Sequence, residues 1–187
     1  MLSGDLIRGA EAILHKSTLL GRPVVVKERI IKRYRIKDLD ERLRKARTRS
    51  EARILHKAKI AGVLSPTVLE VDEFSIKMSF INGKRPEMTK KQSAEAGKIL
   101  ARLHEADIIH GDYTPANLLL EGKHMFVIDF GLGFISNDIE DKAVDVFTML
   151  RSISEKNSFV DGYESYSKSK SVLKRVKDVE KRVRYAF

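Results

Sequence analysis

The stretch His110-Gly111-Asp112-Tyr113-Thr114-Pro115-Ala116-Asn117, followed by Ile128-Asp129-Phe130-Gly131, constrains this chain more than any other feature. It sets an Asp, an Asn five residues on, and a second Asp twelve residues beyond that. Each motif adjoins an apolar run that reads as a strand, Leu118-Leu119-Leu120 and Phe126-Val127-Ile128. The first carboxylate can orient an attacking hydroxyl or water, while the Asn and the second Asp can hold magnesium ions against nucleotide phosphates. A lone Asp-Phe-Gly means little. The two motifs in this order are hard to obtain by chance, and the competing explanation is a turn with an incidental Asp and Asn.

A chain of 187 residues holds one domain with a good core or two small lobes. No apolar run is long enough to span a bilayer, and Met1-Leu2-Ser3-Gly4-Asp5 lacks the basic-then-apolar pattern of a secretion signal. With no cysteine, a disulfide framework and a thiolate metal site are excluded. A cytoplasmic protein with no membrane association is the expectation. Lys and Arg total 36 against 26 Asp and Glu, a formal net charge of +10 that favours nucleic acid, ATP or an acidic partner.

Val24-Val25-Val26-Lys27 reads as a strand. Residues 39–60 read as a helix with Glu51, Ile54, Leu55 and Ala58 on one face. A carboxylate on that apolar stripe requires a cation nearby, because an unpaired buried charge is costly. Residues 64–80 read as strands around a turn at Val71-Asp72-Glu73, and 82–86 as a connector. From Thr89 the pattern turns helical, with Ala94, Gly97, Ile99, Leu100 and Leu103 as the stripe leading to His104. Strands come first and helices later, so the expected class is α+β. The boundary between the two halves is expected near residue 82.

In such a site Lys27 contacts the α- and β-phosphates and Glu51 is its partner; the alternatives are a lysine at a strand end and a carboxylate on a helix surface. The glycine loop that usually precedes the lysine strand is missing. Its only counterpart is Gly9-Ala10-Glu11-Ala12, where small residues let backbone amides approach phosphates, or which is an ordinary hairpin. Asp112 follows Gly111 rather than the Arg that reads a phosphorylated loop. Little chain separates Gly131 from Asp145, and it contains no Ala-Pro-Glu, so the platform for a general protein substrate is nearly absent. His110 reads as a brace for the catalytic loop, and the histidines have no metal-ligand spacing.

Arg29, Lys32, Arg33, Arg35, Lys37, Arg42, Arg44, Lys45, Arg47 and Arg49 form a basic run with Tyr34 among them, read as a polyanion contact against the alternative of a solvated helix face. A last helix from about Ser169 sets Val172, Val176, Val179 and Val183 inward, with lysines and arginines around them.

Gly9-Ala10-Glu11-Ala12, Lys32-Arg33-Tyr34-Arg35, Leu39-Asp40, Arg47-Thr48-Arg49-Ser50-Glu51-Ala52-Arg53, His110-Gly111-Asp112, Asp129-Phe130-Gly131-Leu132 and Glu140-Asp141-Lys142-Ala143-Val144-Asp145 resemble the small atypical kinase of the KEOPS (EKC) complex, the PRPK family. The resemblance implies a minimal, two-lobed protein-kinase-like domain over 1–187 that uses ATP and Mg2+, α+β in class, with a strand-rich N-lobe over about 1–81 and a short helical C-lobe over about 82–187. It implies ATPase and serine autophosphorylation activity in support of threonylcarbamoyladenosine synthesis on tRNA. The implied partners are the threonylcarbamoyl-transferring subunit, other KEOPS subunits and tRNA within the complex. Carried over, Asp112 is the catalytic Asp, Asn117 and Asp129 are the magnesium ligands, and Lys27 and Glu51 are the ATP-holding ion pair. Met78-Ser79-Phe80-Ile81 becomes the adenine-contacting hinge, by backbone. Ser79 stands where the family often has an acidic residue.

Two other functions fit parts of the pattern. A small-molecule phosphotransferase of the aminoglycoside or choline kinase sort shares the His-Gly-Asp…Asn loop, but builds its acceptor pocket from large helical insertions for which little chain remains after Asn117. A scaffold that binds ATP without turning it over is disfavoured by the retention of Lys27, Asp112, Asn117 and Asp129 together.

Overall fold

A computed structural model describes residues 7–9 and 11–184. Its first half is one antiparallel sheet, β1 (Ile7–Arg8), β2 (Ala12–Leu19), β3 (Arg22–Arg29), β4 (Val68–Val71) and β5 (Ser75–Ser79), in the order β1-β2-β3-β5-β4. The two-residue turn Leu20-Gly21, with φ of 50° and 74°, joins β2 to β3 with the left-handed backbone that matches the strands' twist. Lys27 does not end its strand: β3 runs on to Arg29 and places Arg29 on the same face. Between β3 and β4 lies α1 (Lys37–Ile60), which turns Asp40, Thr48, Glu51, Ile54, Leu55 and Ala58 inward.

The second half is α2 (Lys90–Glu105), β6 (Ile108–Ile109), a 3-10 turn (Pro115–Asn117), β7 (Leu118–Glu121), β8 (His124–Val127), β9 (Phe134–Ile135), α3 (Ile139–Ser152), α4 (Lys156–Tyr163) and α5 (Ser169–Arg184). Thr89 starts α2 with a capping box: its hydroxyl accepts from the Gln92 N–H, and the Gln92 side chain accepts from the Thr89 N–H. The hairpin β7–β8 and the pair β6–β9 carry the two motifs.

Helix α2 packs chiefly on α4, and α3 on α5. The α2–α4 crossing is set by glycine on both sides. A Cβ on Gly97 would lie 2.1 Å from the Phe159 carbonyl oxygen, and one on Gly162 would lie 2.0 Å from that of Ala94. No side chain fits at either position, so α2 meets α4 backbone to backbone. Val172, Val176 and Val179 of α5 are buried as the apolar stripe requires; the Val183 side chain lies outside the described residues. Among the described residues no helix is long and apolar enough to cross a membrane.

Candidate active site

A cleft of about 430 Å³ opens between the five-stranded sheet and the β7–β8 hairpin. Leu14 and Val25 line it from the sheet, Leu119 and Ile128 from the hairpin side, and Met78 from β5, while Lys27, Glu51, Asn117 and Asp129 gather in it, with Lys16 and Arg85 among its other charged lining. Strand alternation places the members contributed by the sheet. Val25 and Lys27 are two apart on β3, with Met78 opposite Val25 and Leu14 opposite Lys27 in the neighbouring strands. The cleft thus offers apolar walls for a flat ring and charges for anionic groups.

The connector after β5 refines the expected hinge. Met78 is buried and its backbone lies between two ladder partners, Val25 and Val68. The Ser79 N–H donates to the Thr67 carbonyl at 2.9 Å, and the Phe80 N–H to the Pro23 carbonyl at 3.3 Å. The Ser79 and Phe80 amides are therefore committed within the fold. Both still line the cleft, and the Ile81 N–H is the amide of this stretch with no acceptor among the described residues.

A chain of ion pairs runs out of the cleft. The Lys27 Nζ donates to Glu51 Oε1 at 2.5 Å and to Asp129 Oδ1 at 2.8 Å. The other oxygen of Glu51 accepts from Arg29 Nη2 at 2.6 Å. Glu51 is 2% exposed, Arg29 5% and Lys27 8%, so the cation that a buried Glu51 requires is supplied twice over. Arg29 consequently leaves the basic run: it is buried and paired, and is no surface contact for a polyanion. Asp129 has φ 61°, a left-handed backbone rare for a side-chain-bearing residue and typical of functional sites. Burial pushes its carboxyl up, but the charge and hydrogen bond of Lys27 and the Gly131 N–H outweigh this and hold it below the ordinary carboxylate value.

The loop carrying Asp112 is anchored from below. Asp145 on α3, 1% exposed, accepts the His110 N–H on Oδ2 at 2.6 Å and the Gly111 N–H on Oδ1 at 2.8 Å. The His110 ring packs on Phe130 and Tyr113, with its Nε2 3.1 Å from the Ile128 carbonyl and its Nδ1 3.3 Å from the Asp112 N–H. Nε2–H donates and Nδ1 accepts, which fixes the neutral tautomer; burial, which lowers the ring's pKa, keeps it neutral. His110 thus braces the loop to the Asp129 segment, as its sequence position suggests. Gly111 has φ 80°, and a Cβ there would lie 2.5 Å from the Leu132 carbonyl oxygen, so no arginine fits at this position. Asn117 donates its amide to the Asp112 carbonyl at 2.8 Å and to its carboxylate at 2.9 Å, leaving Oδ1 as the oxygen available to a cation.

Gly9, Glu11 and Ala12 form the turn from β1 into β2; Ala10 lies outside the described residues. The Glu11 carboxylate is held by Arg47 rather than directed into the cleft. Two residues of the site are not evident from sequence. Asp145 stands there only as the end of a short segment, and its acceptor role needs partners 34 and 35 residues away. Arg29 carries a signal, the two-residue spacing from Lys27, but sits within a run that reads as surface charge.

Residues 24–149 match the model of the RIO domain. The probable serine/threonine-protein kinase Bud32 homologue of Archaeoglobus fulgidus is 44% identical over 172 residues, 87% of this chain and 88% of that protein. The chain belongs to the RIO-domain family, as a Bud32-type member. The resemblance carried by its motifs therefore holds. A probable bifunctional tRNA threonylcarbamoyladenosine biosynthesis protein of Methanosarcina acetivorans is 40% identical over 193 residues, 97% of this chain but 35% of that protein. This RIO-domain chain thus spans about a third of the length of the bifunctional relatives it matches. Among solved structures, a Rio2 kinase–ADP/Mg2+–phosphoaspartate complex from Chaetomium thermophilum superposes with a TM-score of 0.69 at 16% identity, covering 97% of this chain and 69% of that one. That likeness establishes the two-lobed kinase-like fold for the Bud32-type chain.

Proposed function

We propose that this chain is an ATP-hydrolysing, kinase-like subunit serving threonylcarbamoyladenosine modification of tRNA within a KEOPS-type assembly, with residual serine/threonine kinase activity. The observation that carries the reading is the convergence of Lys27, Glu51, Asn117 and Asp129 in one apolar-walled cleft, with Asp112 held to Asn117 beside it. The adenine is taken between Leu14, Val25, Leu119 and Ile128, with Ile81 N–H as ring donor. Lys27, oriented by Glu51, meets the α- and β-phosphates, and Asp112 aligns the attacking hydroxyl or water. Asp129 and Asn117 Oδ1 are hard oxygen donors of the kind Mg2+ takes, and that ion, when bound, neutralises charge developing on the phosphates. Asp145 and His110 hold Asp112 in place.

The short chain from Asp129 to α3 (Ile139–Ser152) leaves little platform for a diffusing protein substrate. This supports work inside an assembly. So do the relatives named for tRNA threonylcarbamoyladenosine biosynthesis, most of whose length lies beyond the part this chain matches. In our reading a threonylcarbamoyl-transferring unit is the partner of this domain. The test is ATP hydrolysis by the purified chain, alone and with the transfer subunit. Turnover that depends on Mg2+ and responds to the subunit is expected. Phosphorylation of a small alcohol or aminoglycoside at a higher rate would favour the phosphotransferase alternative, and tight ATP binding without turnover would favour a scaffold.

For tRNA binding the cations of α1 sort into two sets. Arg44 is paired with Asp40 at 2.7 Å, Lys45 with Glu41 and Glu73 at 2.8 and 2.9 Å, and Arg47 with Glu11. Arg42, Arg49, Arg53 and Lys57 are exposed on the side of the helix opposite its buried face, with no acidic partner among the described residues. They span roughly 22 Å at 1.5 Å per residue. Reversing Arg42, Arg49 and Arg53 to Glu is therefore expected to weaken tRNA binding whatever its sequence. It should reduce the slope of log affinity against log salt by roughly 2–3, at about 0.7–0.9 for each phosphate no longer neutralised. The check is a tRNA titration across a salt series, with and without the transfer subunit. Salt-insensitive curves identical to wild type would remove the RNA contact, and a loss seen only with the subunit would assign the stripe to the protein interface.

A further inference from the structure

The β1–β2 turn brings a carboxylate to the place where kinases set glycine amides over the phosphates. Ala12 pairs with Arg29 and Leu14 with Lys27, so Glu11 lies just past the phosphate-binding lysine. The turn itself is tight: the Gly9 N–H donates to the Ala12 carbonyl at 2.9 Å, and the Glu11 carbonyl accepts from the Ile30 N–H at 3.2 Å. An uncompensated carboxylate here would oppose a triphosphate. It is compensated from α1, for Arg47 Nη1 donates to both Glu11 carboxylate oxygens at 2.5 Å. Arg29 Nη1 stands 3.6 Å from the same carboxylate, and Arg29 Nη2 reaches both Glu51 and, at 3.5 Å, the Arg47 carbonyl.

We infer that Glu11 and Arg47 form a latch that holds the β1–β2 turn on α1 and keeps the Glu11 charge away from the nucleotide phosphates. This rests on the MgATP reading above. The pair is 40% and 37% exposed, so it adds little to stability and is able to open. Its consequence is on nucleotide entry: closed, it joins turn, β3 and α1 in one network ending at Lys27 and Asp129; open, it exposes a negative charge at the phosphate end. Glu11 and Arg47 are positioning residues and touch no reacting atom. A chain without a glycine-rich loop thereby fixes its phosphate-covering turn by an ion pair.

The test is the affinity of MgATP and of adenosine, measured by calorimetry, with KM and kcat for ATP hydrolysis, for wild type, Arg47→Met, Glu11→Gln and the double variant. Arg47→Met is expected to weaken MgATP by about tenfold, mainly in KM, with adenosine affinity and melting temperature close to wild type. Glu11→Gln is expected to weaken it less, because the latch and the repulsive charge go together, and the double variant should match Glu11→Gln. The latch is overturned if Arg47→Met binds MgATP as wild type does, if the double variant is no better than Arg47→Met, or if adenosine loses as much as MgATP. Failure of the wild type itself to bind MgATP would instead overturn the nucleotide reading, and the latch with it.

Discussion

Asp129→Ala is expected to abolish ATP turnover and autophosphorylation while the chain stays folded. Asp129 takes no part in the apolar core: its side chain is 53% exposed, and it gives up a bond from the Gly131 N–H and one of the two made by Lys27, which keeps Glu51. What it supplies is a carboxylate at a fixed point in the cleft, set there by the left-handed backbone at φ 61°. Losing one positioned electrostatic group of this kind costs about 100-fold or more in rate. Asp129→Asn, which keeps the shape and tolerates that backbone, isolates the charge. Because the carboxyl is held below its ordinary value, its protonation is expected to cut activity only as pH falls into the acid range below the usual Asp pKa, leaving the rate near neutrality unaffected by this group. Hydrolysis rates and thermal unfolding of the two variants are the measurements. Full activity in either one would remove the phosphoryl-transfer reading.

Glu51→Ala is expected to damage both stability and activity. The substitution leaves Lys27 and Arg29, both buried, short of the carboxylate they share. Breaking a buried pair from one side costs about 3–5 kcal/mol, a large part of the about 5–15 kcal/mol that holds a domain folded. Asp129 and Glu11 stay near the two cations, so the lower end of that range is expected. Urea unfolding reads it as a lower midpoint at unchanged slope. For catalysis, Lys27→Ala and Glu51→Ala should each weaken ATP use, and the double variant should be little worse than the poorer single, since the two act as one unit. Strictly additive losses would show that they do not.

The elements whose cause is local are legible in the residues. The valine run marks β3, the stripe with Glu51 marks α1, Thr89 with Gln92 marks the start of α2, and valines at helical spacing mark α5. What residues alone leave open for α3 and α4 is the surface each one buries against, α5 for α3 and α2 for α4. The expectation that Glu51 needs a cation is sound. That the second cation is Arg29, and that Arg44, Lys45 and Arg47 are paired rather than presented to a polyanion, depends on acids 4 to 36 residues away.

Sequence by itself determined which chemical groups are present, in what order, and that glycine rather than arginine stands at 111. Those conclusions follow from side-chain type and short spacing, which any fold must respect. Tertiary structure decided where the groups point. The Asp145 hold on the Asp112 loop, the commitment of the Ser79 and Phe80 amides, the Gly97–Gly162 crossing and the Glu11–Arg47 pair all join residues far apart in the chain. Such pairings are fixed only when the lobes fold, because their partners are selected by burial and close approach rather than by neighbouring residues.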